Sequence, residues 1–195
     1  VLRQLINPIF ERRFHDNSFG FRPGRNCHQA VERVMHYAEQ GFRFIVDVDI
    51  KGFFDNIPHK LIMESIAAKI ADGNVLGTIE RLLNSGVIEE GTLRPTPRGT
   101  PQGGVISPLL ANTALDHLDW FLEGNNLHFV RYADDFIVLC KTRSEAEKAL
   151  DTILKFLNEM GLEASPEKTK VSSFKEGFNF LGFMIKNGSI RMREK

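Results

Sequence analysis

Two apolar runs, Phe129-Val130 and Phe136-Ile137-Val138-Leu139-Cys140, close on the acid pair of Tyr132-Ala133-Asp134-Asp135. Runs of this kind, broken by a short polar pair, read as two strands joined by a tight turn. Acid pairs belong in water, so two carboxylates inside a strand-like stretch are the anomaly that most constrains the fold. Ala-Asp is also not the Asn-Gly or Asp-Gly of an ordinary hairpin. Adjacent carboxylates repel each other unless a cation sits between them. Mg²⁺ suits such a pair, because it takes oxygen ligands and is commonly held by one or two carboxylates plus substrate phosphates and water.

A third carboxylate lies upstream. Residues 42–50 read Phe-Arg-Phe-Ile-Val-Asp-Val-Asp-Ile, a β-rich run in which Asp47 and Asp49, two apart, share one face. Asp49 stands at the end of the run, before Lys51-Gly52-Phe53-Phe54-Asp55-Asn56-Ile57-Pro58 stops the strand. A strand end carrying one acid beside a hairpin carrying two is the geometry of a two-metal site, whose ions sit about 4 Å apart and clamp the attacking and leaving oxygens. The chemistry it points to is phosphoryl or nucleotidyl transfer. Asp47, set further back, reads as a structural hydrogen bond or ion pair.

With 195 residues and 42% hydrophobic content, the chain can bury a real core in one domain. No apolar run approaches the roughly 20 residues of a membrane span, and the start lacks a signal peptide, so a cytoplasmic protein with no membrane partner is expected. Cys27 and Cys140 have neither disulfide nor zinc spacing. A net charge of +0 weighs against nucleic acid, yet the charges are uneven. Arg12, Arg13, Arg22, Arg25 and Arg33 crowd one end, and Lys168, Lys170, Lys175, Lys186, Arg191, Arg193 and Lys195 the other, flanking an acidic middle.

Helical spacing covers residues 1–10 and 28–40, the latter with Asn26 as cap and Gly41 as stop. Pro58 opens a helix through Ile70, and residues 75–84 read as another. Glu89-Glu90-Gly91-Thr92 suits a short hairpin turn. Ser107-Pro108 supplies an N-cap and first helical residue beside the Gly-rich loop 98–104. Ser144-Glu145-Ala146-Glu147 reads as a capping box for a helix closed by Gly161. Residues 162–165, 170–174 and 178–186 read as strands. This order implies an α+β fold, mostly antiparallel, with helices on one face.

Five blocks taken together carry a resemblance: Phe19-Gly20-Phe21-Arg22-Pro23-Gly24-Arg25, Asp49-Ile50-Lys51-Gly52-Phe53-Phe54-Asp55, Pro101-Gln102-Gly103-Gly104-Val105-Ile106-Ser107-Pro108, Tyr132-Ala133-Asp134-Asp135 and Phe180-Leu181-Gly182-Phe183. In this order the chain resembles reverse transcriptases, and more narrowly the group II intron-encoded reverse transcriptases, or maturases. The resemblance implies a right-hand polymerase. Palm would span approximately 42–57 and 104–195, helical fingers approximately 1–41 and 58–103, and the thumb would be absent from a fragment of this extent. It implies two Mg²⁺ ions held by Asp49, Asp134 and Asp135, with Asp135 supporting, and by the backbone carbonyl of Ile50. Phe54 would be the aromatic gate under the sugar that excludes a 2′-hydroxyl. Gln102 and Gly103 would meet the incoming nucleotide, Arg22 and Arg25 its phosphates, and Lys168 the pyrophosphate. Tyr132, Phe180, Leu181 and Gly182 would contact the primer. The implied partners are group II intron RNA, an RNA template with a DNA primer, and dNTPs; a homodimer through the fingers stays open.

Two other readings stand beside it. The chain could be an RNA-binding splicing or dimerisation module, not catalytic as an isolated fragment, although three clustered acids gain nothing in a pure RNA binder. A nucleotide cyclase on a similar sheet shares the paired acids but does not account for the loops at Arg22 and Gln102.

Overall fold

The apolar runs at the centre of the sequence form a four-stranded antiparallel sheet. The structure is a computed structural model that describes residues 1–85, 87–89, 92–94, 98–100 and 104–192. In chain order the elements are α1 (Leu2–Glu11), α2 (Cys27–Glu39), β1 (Phe44–Val48), α3 (Phe53–Asn56), α4 (His59–Ala67), α5 (Gly73–Leu83), β2 (Val87–Glu89), β3 (Thr92–Arg94), α6 (Ser107–Gly124), β4 (His128–Tyr132), β5 (Asp135–Cys140), α7 (Arg143–Glu159), β6 (Lys170–Ser173), β7 (Phe178–Phe180), β8 (Phe183–Lys186) and β9 (Ser189–Met192). The central sheet runs in the order β4-β5-β1-β6, and separate sheets are made by β2-β3 and by β7-β8-β9.

Strand alternation sorts the side chains onto two faces. Val46, Val48, Phe129, Phe136 and Val138 join one buried cluster with Ile62 and Ile66 of α4, Leu110, Leu115 and Leu118 of α6, and Ile153 and Leu157 of α7. Ile45, Val130, Ile137 and Leu139 face the other way, onto Ala30, Val31 and Val34 of α2 and onto Phe178, Phe180 and Ile185 of the small C-terminal sheet. The expected α+β class and its helix-covered face are therefore present. The opposite face is covered as well, by one helix and a three-stranded sheet.

Several boundaries fall where local chemistry placed them. Asn26 and Gln29 close a reciprocal capping box on α2. At α7 the box is Thr142 with Glu145, two residues before the expected Ser144. Both spacings satisfy the motif, but β5 ends at Cys140 and the chain turns at once. Helix α6 has Ile106 at its N-cap, with Ser107 already helical. The run 178–186 is not one strand. It folds back at Leu181 and Gly182, both at positive φ (52° and 80°), so that Phe180 pairs with Phe183. Trp120 is 52% exposed on α6.

Candidate active site

The register of the sheet assembles the acids. Strands β1 and β5 pair antiparallel out to Val48 opposite Phe136, and β4 and β5 close with Tyr132 opposite Asp135. One further step along the β1-β5 register brings Asp49 level with Asp135, at the end where the β4-β5 turn carries Asp134. By alternation Asp47, Asp49 and Asp135 all lie on the Ile45 and Ile137 face, so the three strand acids share one side of the sheet.

The turn itself is a strained two-residue connection. Ala133 has φ 59°, a region that favours glycine, while Asp134 does not. A buried network holds it there. Arg131 donates through Nη1 to the Ala133 carbonyl at 2.8 Å and to Asn112 Oδ1 at 2.9 Å. The same guanidinium grips Asp119 through Nε at 2.7 Å and Nη2 at 2.5 Å. The backbone of Arg131 accepts from Phe19 N–H and donates to the Asn17 carbonyl, at 2.8 and 2.9 Å. Helix α6 and the acid turn are thereby tied to the side chain of Arg131, and the loop before α2 to its backbone.

Asp49, Asp134 and Asp135 line a cleft of about 460 Å³ together with Asp47, Ile50, Lys168, Lys170 and Asn179. Burial, then the charge of Asp49, raises the carboxyl of Asp134. Asp135 is pushed up to about 7, first by desolvation and then by Asp47, Asp134 and Asp49. Its side chain still reaches solvent, so the crowding by three like charges is the firmer of these causes. Lys168 Nζ stands 3.3 Å from Asp49 Oδ2, and Lys170 Nζ 3.9 Å from Asp47 Oδ2. Asp47 thus has the ion pair expected of it.

This electrostatic state fits a divalent cation. Crowded carboxylates held in a partly desolvated cleft are relieved by positive charge, and an ammonium already lies against Asp49. The neighbouring backbone groups Asp49 C=O and Lys51 N–H bond Ser165 and Glu163, each at 2.8 Å. Strand alternation then turns the Ile50 carbonyl the other way, toward β5 and the acids. Among the described residues no three His, Cys, Asp or Glu side chains converge closely enough to hold an ion alone. Mg²⁺ in particular leaves several positions to water and substrate phosphates.

Other expected residues divide. Phe54 is half-buried, 5.4 Å ring to ring from Phe53 and 6.2 Å from Phe21, and its carbonyl accepts from Thr100 N–H at 2.8 Å. Gln102 and Gly103 lie outside the described residues. Arg22 is not brought to the cleft. It is buried, and its donors are spent on Glu11 Oε1 at 2.8 Å, the His15 carbonyl at 2.7 Å and the Ser18 carbonyl at 2.8 Å. Arg25 pairs with Asp16 at 2.9 Å and lines a separate surface depression beside α2. Tyr132 ends β4 beside the acids, and the backbone at Leu181 lies near enough to favour the charged form of the Asp135 carboxylate, which puts the turn of Phe180, Leu181 and Gly182 close to them. Sequence reasoning missed Arg131, Asp119 and Asn112. The available signal was a pair of opposite charges placed on otherwise buried faces of β4 and α6.

Comparison with known proteins bears on this geometry. The family described as reverse transcriptase (RNA-dependent DNA polymerase) matches residues 1–185. The chain belongs to the reverse transcriptase family. Protein YkfC of Escherichia coli is 29% identical to it, over 92% of this chain and 58% of its own length. The group II intron-encoded protein LtrA of Lactococcus lactis subsp. cremoris is 30% identical, over 100% of this reverse transcriptase chain and 44% of its own length. Its name matches the narrower resemblance carried by the motifs. The chain thus spans less than two thirds of such relatives. Among solved structures, telomerase from Candida tropicalis with a fragment of telomeric RNA superposes with a TM-score of 0.77 at 14% identity, covering 98% of this chain and 37% of that one. At that identity the likeness is one of fold. No helix among the described residues is long and apolar enough to cross a membrane.

Proposed function

We propose that this chain is the fingers and palm of a group II intron-encoded reverse transcriptase, which copies RNA into DNA in intron mobility and whose protein also binds its intron RNA during splicing. The observation that carries the reading is the register that sets Asp49 beside Asp134 and Asp135 at one end of the sheet. In this reading Asp49, Asp134, Asp135 and the Ile50 carbonyl hold two Mg²⁺ ions. When bound, the ions lower the pKa of the primer 3′-hydroxyl and offset the charge that develops on the leaving pyrophosphate.

The rest falls to the chain's own groups. The strained turn, fixed through Arg131, presents Asp134 without the need to reorganise during the reaction. Lys168, whose Nζ lies 3.3 Å from Asp49, meets triphosphate oxygens in this reading and supplies a proton to pyrophosphate. Phe54 lies under the sugar and rejects a 2′-hydroxyl by clash and by offering it no hydrogen bond. Gln102 and Gly103 contact the nucleotide, Tyr132 and the turn at Phe180, Leu181 and Gly182 the primer end, and Arg25 a nucleotide phosphate. The fingers comprise approximately 1–41 and 58–103 and the palm approximately 42–57 and 104–195. A cytoplasmic location where intron RNA and dNTPs meet, and a homodimer paired through the fingers, complete the proposal.

Primer extension on an RNA template with dNTPs and Mg²⁺, comparing the protein as encoded with Asp134→Ala, tests it. Extension by the parent and its loss in the variant are expected; equal extension would remove the catalytic assignment. Splicing assayed on the same pair separates the alternative of a non-catalytic RNA-binding module.

A further inference from the structure

Phe21 stands in a conformation that the fold alone does not require of a phenylalanine. Its φ is 58°, rare for a bulky side chain, and the residue is 47% exposed. Both neighbours explain how the backbone is kept there. Gly20 lies against the acid turn so closely that a Cβ would fall 2.2 Å from the Ala133 amide nitrogen, and its carbonyl accepts from Asn112 Nδ2 at 2.9 Å. Arg22, on the other side, is buried and bonded to Glu11, His15 and Ser18. With the chain fastened on both sides of it, Phe21 cannot relax.

What the ring does there is touch Phe54. The two meet edge to face, with centroids 6.2 Å apart and planes at 81°. Phe53 contacts Phe54 as well, at 5.4 Å and 72°. Phe53 is almost fully buried, so it forms a fixed wall, whereas Phe21 braces Phe54 from the exposed side. A glycine would hold this backbone without strain, which leaves the ring itself as the reason for the strain.

We propose that Phe21 is a positioning and specificity-determining residue for the sugar of the incoming nucleotide, bracing Phe54 so that its ring cannot swing away from a 2′-hydroxyl. The inference rests on the reading of Phe54 as the sugar gate. A steric filter discriminates only as well as it resists displacement, because a ring free to rotate makes room for the added oxygen. Through Gly20 the brace is also anchored to the turn that carries Asp134, so gate and acids share one frame.

The test is the ratio of dNTP to rNTP incorporation by the protein as encoded, in single-nucleotide primer extension, for the parent, Phe21→Gly, Phe54→Ala and the double variant. Phe21→Gly suits the backbone, so thermal stability is expected to hold, and a ratio taken within one enzyme cancels any general loss of activity. The ratio is expected to fall on the order of fivefold for Phe21→Gly, as an edge-on aromatic contact is lost. It should fall further for Phe54→Ala and no further in the double variant, since a brace acts only through what it braces. A ratio unchanged in Phe21→Gly but lowered in Phe54→Ala would overturn the brace and leave the gate. An additive double variant would overturn it too. No change in either single variant would remove the gate and the brace together, and a parent that extends no primer would remove the polymerase reading beneath both.

Discussion

Arg131 and Asp119 face each other as a two-pronged ion pair, at 2.7 and 2.5 Å, with neither side chain exposed to solvent. The pair joins a strand to the helix beneath it, and the spare Nη1 hydrogen bond goes to the carbonyl of Ala133. Taking two charges out of water is costly, and such a pair is seldom worth more than apolar residues of the same volume. Its placement beside the strained turn makes geometry, more than stability, its contribution.

Removing one partner should be severe. Asp119→Ala leaves a buried guanidinium uncompensated and is expected to lower unfolding free energy by about 3–5 kcal/mol in urea denaturation. Replacing both, as Asp119→Leu with Arg131→Met, should recover most of that stability while primer extension stays low, because nothing then holds the Ala133 carbonyl.

Gly20→Ala is a purely steric probe. Gly20 is not at positive φ, so alanine meets no conformational penalty there. Its Cβ meets backbone of Tyr132 and Ala133 within 3.0 Å, which cannot swing aside as a side chain could. A loss of about 3 kcal/mol in denaturation is expected, against little change for Gly73→Ala, whose Cβ would enter open space at ordinary φ.

These residues mark where the sequence was legible and where it was not. The acid hairpin and the strand ending at Asp49 could be read because alternation and turn chemistry are local. The β1-β5 pairing followed from the two acids needing each other. Arg131 and Asp119 escaped notice because each charge marks a buried position only once the apolar face around it is traced, and because their contact spans twelve residues between different elements. Arg22 was read as a phosphate ligand from its motif. Its partners Glu11, His15 and Ser18 instead turn it into the fastening of its own loop. Residues 178–186 looked like one strand, since nothing in Leu181 announces a positive φ.

Asp116 supplies a pH dependence. Burial first and then Asp119 raise its carboxyl to about 6, and its buried Oδ1 has no hydrogen-bond partner among the described residues. Because the folded value lies above the unfolded one, the folded state binds the extra proton between about pH 4 and pH 6. Stability from this group therefore falls as pH rises through that window and stays low above it. Asp116→Asn should stabilise the protein by on the order of 1 kcal/mol at pH 8, allowing for partial solvent screening, and by nothing measurable at pH 4. Thermal denaturation at the two pH values checks this.

Lys168→Met separates stability from chemistry. The pair with Asp49 is largely exposed, so its loss should change unfolding free energy by less than about 1 kcal/mol. Single-turnover incorporation of a dNTP should nonetheless slow by about 100-fold, the usual contribution of a placed proton donor. An unchanged rate would leave Lys168 as a surface ion pair only.

The central claim is that Asp49 and Asp134 hold divalent cations, and electron paramagnetic resonance of Mn²⁺ titrated into the protein with primer, RNA template and dNTP reads this directly. The parent is expected to take up Mn²⁺ that the double variant Asp49→Asn with Asp134→Asn, folded to the same thermal stability or better, does not. Equal Mn²⁺ uptake by the two proteins would contradict the account.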